Sequence, residues 1–324
     1  MKKVLFLLAT FSLILAACGG ASVPESDSGK LNVVATTSIV ADVVSNIGGE
    51  YVNVEVLLPV GTDPHSFEPT PQDISKVADA DIVFANGAGL EAFIEHLLES
   101  AEANDKIVEV SEGIDLLAHP KAGASNEHDH AEDHDEHAEN KEHDDHDYVA
   151  GDPHVWVDPN NVMLWVDNIE HALAEADPAH AAEYAANAES YQAQLTELDT
   201  WIRQQVAEIP PKNRKLVTDH MLFGYFADEY GFKQIGALIP GYSTLAEPSA
   251  QELAAIEDAI REYNVPAVFV GNTVNPALGG QVAEDTGIKL VTIYTGSLSD
   301  ENGDAPTYLD YIRYNVTAFV NALK

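Results

Sequence analysis

Leu31-Asn32-Val33-Val34-Ala35-Thr36-Thr37, running straight into Ser38-Ile39-Val40-Ala41-Asp42-Val43-Val44-Ser45-Asn46-Ile47-Gly48-Gly49, decides the fold. The first seven residues are short, apolar and β-branched, which suits a buried strand. Ser38 stands where a helix cap belongs. Ile39, Val40, Val43, Val44 and Ile47 then recur with helical spacing, and Gly48-Gly49 ends the run. A buried strand feeding an amphipathic helix is the first half of a parallel βα unit.

The alternation continues outward. Val52–Leu58 reads as a strand and Pro59–Pro71 as a loop. Thr70-Pro71-Gln72-Asp73 starts a helix with proline in its first turn. Asp81–Asn86 is a third strand, a helix follows around Glu91–Ser100, and Lys106–Val110 is a fourth strand. The second half repeats the pattern. Lys215–Thr218, Gln234–Leu238, Ala267–Val270 and Lys289–Ile293 are strands. Phe223–Tyr230, the run opened by Glu247–Glu252, Asn275–Thr286 and Thr307–Leu323 are helices. Between the halves lie a helix at Asn160–Ala176 and a long one at Ala179–Ile209, stopped by Pro210-Pro211. Tyr184, Tyr191, Leu195, Leu198 and Ile202 share one face of the long helix. Thirty such residues span about 45 Å, enough for a spine. The predicted architecture is therefore α/β, with two Rossmann-like lobes around parallel sheets: 31–177, a linking helix at 178–209, and 210–324.

The balance of 54 Asp and Glu against 16 Lys and Arg leaves a net charge of −38. Such acidity excludes nucleic acid, whose phosphates demand cationic side chains, and suits a chain that attracts cations. Residues 1–18 read as an export leader, with Lys2-Lys3 before an apolar run too short to span a bilayer. Leu15-Ala16-Ala17-Cys18 resembles a lipobox, in which the cysteine becomes the lipidated mature N-terminus. Cys18 is the only cysteine, so no disulfide can form within the chain. Residues 19–30 have the composition of a tether. The expected location is extracytoplasmic, held to the membrane by that lipid.

Two Asp-Pro-His tripeptides stand out, at Asp63-Pro64-His65 and Asp152-Pro153-His154. Proline fixes its own φ and drives the preceding residue toward extended backbone, so each histidine sits on a stiff loop. A third histidine, His220, follows the Lys215–Thr218 strand directly. Ligands of open α/β sheets collect beyond the carboxyl ends of strands. His65 and His154 belong to the first lobe and His220 to the second, so a site built from all three lies in the cleft between them. A separate tract, residues 119–148, is acidic and nearly free of large apolar residues, which predicts disorder. It carries His119, His128, His130, His134, His137, His143 and His146, a composition that gathers transition metals.

The sequence resembles the zinc/manganese-specific substrate-binding proteins of bacterial ABC importers over nearly the whole mature chain. The resemblance is carried by Val33–Ser38, Gly61–Pro71, the His/Asp/Glu tract, Asp152–Trp156, Val217–His220, Glu247-Pro248-Ser249 and Tyr308–Asn315. It implies two α/β lobes joined by a rigid helix, with the cargo metal held between them by His65, His154 and His220. Manganese-preferring relatives usually place a carboxylate at the third position. Three imidazoles favour Zn²⁺, whereas manganese favours carboxylate oxygen. Two departures concern carboxylates: Gly296 stands where the family has an aspartate as fourth ligand, and Gly271 where relatives often have a glutamate. Water, Glu68 or Asp300 are the candidates for the fourth position. The implied partners are a permease and its ATPase, with the protein itself a monomer. The expected function is zinc capture for import, with a manganese-binding homologue as the alternative. A zinc hydrolase and a zinc reservoir or adhesin are the readings from other classes. No HExxH-type base motif accompanies the histidines. With ordinary imidazole pKa values of about 6.5, zinc retention should be weaker at about pH 5 than at about pH 7.5.

Overall fold

A computed structural model describes residues 29–118 and 151–324. The leader with Cys18, most of the tether and the histidine-rich tract lie outside the described residues.

The first lobe runs β1 (Leu31–Ala35), α1 (Ser38–Gly48), β2 (Val52–Val56), α2 (Pro71–Asp79), β3 (Ile82–Ala85), α3 (Ile94–Ser100) and β4 (Ile107–Glu109). Next come α4 (Pro159–Ala176) and α5 (Ala181–Val206). The second lobe runs β5 (Lys215–Thr218), α6 (Gly224–Tyr230), β6 (Lys233–Ala237), α7 (Ala250–Tyr263), β7 (Ala267–Gly271), α8 (Ala277–Thr286), β8 (Lys289–Ile293) and α9 (Tyr308–Leu323). Each lobe holds a four-stranded parallel sheet, ordered β2-β1-β3-β4 in the first and β6-β5-β7-β8 in the second. The two orders are the same once the strands are renumbered within each lobe. In each sheet the winding reverses between the two central strands, β1/β3 and β5/β7. Their carboxyl ends therefore open a crevice there.

Local chemistry explains the element ends. Thr37, not Ser38, caps α1: its hydroxyl accepts a hydrogen bond from Val40 N. Ser38 instead reaches the other lobe, where its Oγ accepts a hydrogen bond from Leu298 N at 3.0 Å. The Asp158-Pro159 step begins α4, with the Asp158 carboxylate accepting from Asn160 N and proline in the first turn. Ser249 and Glu252 cap α7 reciprocally.

The linking helix is shorter than its sequence suggests. Residues 178–180 form a single 3₁₀ turn, so α5 spans 26 residues and about 39 Å. Its buried face comprises Tyr184, Ala188, Tyr191, Leu195, Leu198, Ile202 and Val206. That face packs against α1 and α4 on one side and α9 on the other. One continuous apolar core therefore runs from β1 through α1, α4 and α5 to β7 and α9, while smaller clusters fill the outer face of each sheet. The Asp42 carboxylate on α1 also accepts from Tyr308 N at the start of α9.

A core shared in this way predicts that the lobes unfold together. Leu195→Ala in its middle, where the leucine is fully buried, should cost about 2–5 kcal/mol. Calorimetry should show one unfolding peak moved to lower temperature, not two separated peaks.

Candidate metal centre

Three segments meet between the lobes, each carrying one histidine. His65 rides on the loop between β2 and α2. Asp63 shapes that loop, because its Oδ1 accepts from His65 N at 3.0 Å. The other carboxylate oxygen of Asp63 accepts from the Thr244 hydroxyl of the second lobe. Gly61 N donates to Ser297 Oγ, also of the second lobe, at 2.8 Å.

His154 follows Asp152-Pro153, and Asp152 Oδ1 accepts both from His154 N at 3.0 Å and from His154 Nδ1 at 2.7 Å. An ionised carboxylate only accepts, so Nδ1 carries the proton and Nε2 keeps its lone pair. His220 repeats the arrangement with the residue immediately before it. Asp219 Oδ1 accepts from His220 N and from Nδ1, both at 2.6 Å. Such carboxylate–imidazole pairs orient metal-binding rings and raise their basicity toward the metal. Both pairs are almost completely buried.

The free nitrogens converge. His154 Nε2 lies 3.2 Å from His65 Nε2 and 3.3 Å from His220 Nε2. Ligands of a tetrahedral zinc ion, with Zn–N of about 2.0–2.1 Å, stand about 3.3 Å apart. His65, His154 and His220 are also the only group of three or more His, Cys, Asp or Glu among the described residues placed to hold a metal ion. Glu68 and Asp300 are not brought into the group. Both side chains are exposed, and Asp300 accepts from Asn302 N in its own loop. The small cavity at the rings is otherwise lined by Asp63, Pro64, Trp156, Leu222, Thr273 and Gly296.

The two glycine departures have steric causes. A Cβ on Gly296 would lie 2.6 Å from Pro64 Cδ, so the loop of His65 occupies the space where a side chain would begin. A Cβ on Gly271 would lie 2.1 Å from Thr295 Oγ1 and 2.9 Å from Asp219 Oδ2. Asp219 Oδ2 instead accepts from the Gly271 amide at 2.5 Å.

Burial disfavours the charged form of two of the rings. Burial, aided by the neighbouring His154 and His220, pushes His65 down to about 3. Burial likewise drives His154 well below the usual imidazole range. For Asp219 burial acts upward, but His220 and the Gly271 amide outweigh it and hold the carboxyl below its ordinary value. Three ring nitrogens that converge, two of them on rings held from behind by carboxylates, make this a candidate site for a divalent cation.

Reading the sequence for histidines passed over the groups that hold them. Asp152 and Asp219 were legible, since each ring has an aspartate one or two residues before it. Trp156 was not: its Nε1 donates to Thr295 O and Tyr311 OH in the second lobe, tying the His154 segment across the cleft.

Comparison with known proteins identifies the family. The family described as zinc-uptake complex component A, periplasmic, matches residues 33–322. The manganese-binding lipoprotein MntA of Halalkalibacterium halodurans is 36% identical over all of this chain and 99% of its own length. The iron-binding protein YfeA of Yersinia pestis is 33% identical over 96% of this chain and 93% of its own. Among solved structures, the periplasmic zinc-binding protein TroA of Treponema pallidum superposes with a TM-score of 0.76 at 26% identity, covering 91% of this chain and 99% of that one. The family's members bind and carry solutes and are not enzymes, which removes the hydrolase reading. With fold, cleft and family match in agreement, the chain belongs to the zinc-uptake component A family, the metal-binding substrate-binding proteins of ABC importers.

Proposed function

We propose that this protein captures Zn²⁺ outside the cytoplasmic membrane and delivers it to a permease and its ATPase. His65, His154 and His220 are the ligands in this reading. One observation carries it: among the described residues, three imidazole nitrogens, and no carboxylate oxygen with them, converge at zinc-ligand spacing. Imidazole donors suit zinc, whereas an oxygen-rich set suits manganese. The closed space at Gly296 adds to this, because a carboxylate there would first have to displace Pro64. Water is the fourth ligand consistent with the three-histidine set, since Glu68 and Asp300 stand outside it.

Manganese is the second reading. It is favoured by MntA, whose name records manganese binding and which matches this chain from end to end. Raw affinity does not decide between them, because most such sites bind Zn²⁺ more tightly than Mn²⁺. Uptake by cells lacking this protein does: the zinc reading expects zinc accumulation to fall and manganese accumulation to stay unchanged, and the reverse result supports manganese. His220→Ala should weaken zinc binding by more than about a hundredfold, beyond what loss of an outer partner costs. Unchanged binding in that variant would remove the site.

Acid behaviour follows from burial. Protons compete with zinc only where the rings take them up. A free imidazole does so near 6.5, but His65 is pushed down to about 3 and His154 also falls well below the usual range. Proton competition at His65 and His154 should therefore set in only as the pH approaches the depressed values. A chemical-shift titration of these two rings in the metal-free protein should find neither protonated at about pH 6; protonation of either there would contradict their burial.

The histidine-rich tract, from His119 to His146, serves in this reading as a weak collector that raises local zinc concentration. Its described flanks return to the site. Leu117 O accepts from Asp152 N at 2.8 Å, and Ala118 O accepts from Tyr242 OH at 3.2 Å. Deleting residues 119–148 should leave one tight zinc per chain and remove the weaker ones in a titration. Lipidation at Cys18, a monomeric state and an extracytoplasmic location complete the proposal.

A further inference from the structure

The two lobes hold their histidines by the same kind of device, and in the first lobe that device uses residues outside the ligand set. In the second lobe, Asp219 fills the crevice between the carboxyl ends of β5 and β7. One of its oxygens takes the amide of Gly271 at the end of β7, and the other takes His220 Nδ1. The equivalent crevice of the first lobe lies between β1 and β3, and Glu91 fills it. Its Oε1 accepts from the hydroxyl of Thr36, just past β1, at 2.6 Å, and from Asn86 N, just past β3, at 2.7 Å. Its Oε2 accepts from Gly87 N at 3.1 Å. None of these donors is a histidine. The link is made by Asn86, whose Nδ2 donates to Pro153 O, the carbonyl immediately before His154, at 3.1 Å. The same Nδ2 donates to Gly87 O at 2.8 Å.

We propose that Glu91 and Asn86 are positioning residues for the metal site, a relay that fixes the His154 arm to the sheet of the first lobe. The inference rests on the three-histidine reading of that site. Within Asp152-Pro153-His154, the aspartate fixes the ring relative to its own tripeptide. What holds the tripeptide in place comes from outside. Leu117 O takes Asp152 N, and Tyr225 OH of the second lobe donates to Asp152 O at 2.7 Å. Asn86 adds a hydrogen-bonded hold that comes directly from the end of a first-lobe strand. Its side chain is retained at a cost, because Asn86 Oδ1 is buried and accepts no hydrogen bond among the described residues. Burying Glu91 is costly as well, and burial pushes its carboxyl up to about 7 against its three donors. Two buried polar side chains kept at such expense, one of them aimed at the carbonyl beside a ligand, are better explained by a demand for precision at the rings than by sheet stability.

The test measures zinc affinity by chelator competition and the melting temperature of the metal-free protein, on full-length Asn86→Ala, Glu91→Gln, Thr36→Val and His154→Ala. The relay expects Asn86→Ala and Glu91→Gln to fold and to bind zinc about ten- to a hundredfold more weakly, the range for losing an outer-shell partner. Thr36→Val, isosteric and acting on Glu91 alone, should weaken binding in the same direction by less, and it replaces Glu91→Gln should that variant not fold. Asn86→Ser fills the same role for Asn86→Ala. Melting temperatures that fall while the folded fraction keeps wild-type zinc affinity would mean that these residues only stabilise the sheet, and would overturn the relay. If His154→Ala abolishes tight binding while the Asn86 variants bind as wild type, the relay fails and the three-histidine site stands. Wild-type affinity in His154→Ala would overturn both.

Discussion

Three imidazoles gathered so that His154 Nε2 lies 3.2 Å from one neighbouring ring nitrogen and 3.3 Å from the other stay there only if something outside the rings holds them. No local segment can do this, since the residues are separated by 89 and 66 positions in the chain. The constraint falls on the frame. Carboxylates fix the Nδ1 side of His154 and His220, so the rings cannot turn away, and the loops that carry them are tied across the cleft. Asp63 to Thr244, Gly61 and Ser38 to the Ser297 turn, Trp156 to Thr295 and Tyr225 to Asp152 all join one lobe to the other.

That frame is stiff because its core is not divided. In many two-lobed binding proteins a flexible hinge lets the halves swing around a ligand. Here α5 buries one continuous face against helices of both lobes, and α9 closes the second sheet while reaching back to α1 through Asp42. Opening the cleft widely would expose part of that shared core. Small displacements at the loops cost far less, which suits the proposed delivery to a permease.

The repeated sheet order gives the same crevice twice, and each lobe closes it with a buried carboxylate. The second lobe uses one aspartate for both tasks, bridging the strands and orienting the adjacent His220. The first lobe divides the tasks, because His154 arrives from a distant segment and not from the strand end itself. An intermediary is then needed, and Asn86 stands in that place.

Much of this was legible in the chain. Strand and helix order followed from β-branched runs alternating with helical spacing, since both periodicities are local properties of neighbouring residues. The stiff Asp-Pro-His loops and the aspartates beside His154 and His220 could be read for the same reason. Reading by position placed Ser38 as a helix cap, yet the neighbouring Thr37 takes that role and Ser38 crosses to the other lobe. Glu68 and Asp300, chosen for nearness in sequence, project into solvent. Gly296 could be seen as a missing carboxylate, but only the folded chain shows Pro64 occupying the space. Glu91 and Asn86 gave no sign at all, because what they do depends on which strands become neighbours. Sequence determined the elements and the donor chemistry. Tertiary structure decided which donors meet and which groups hold them, because distance in space between remote segments is set by packing of the shared core and not by any local pattern.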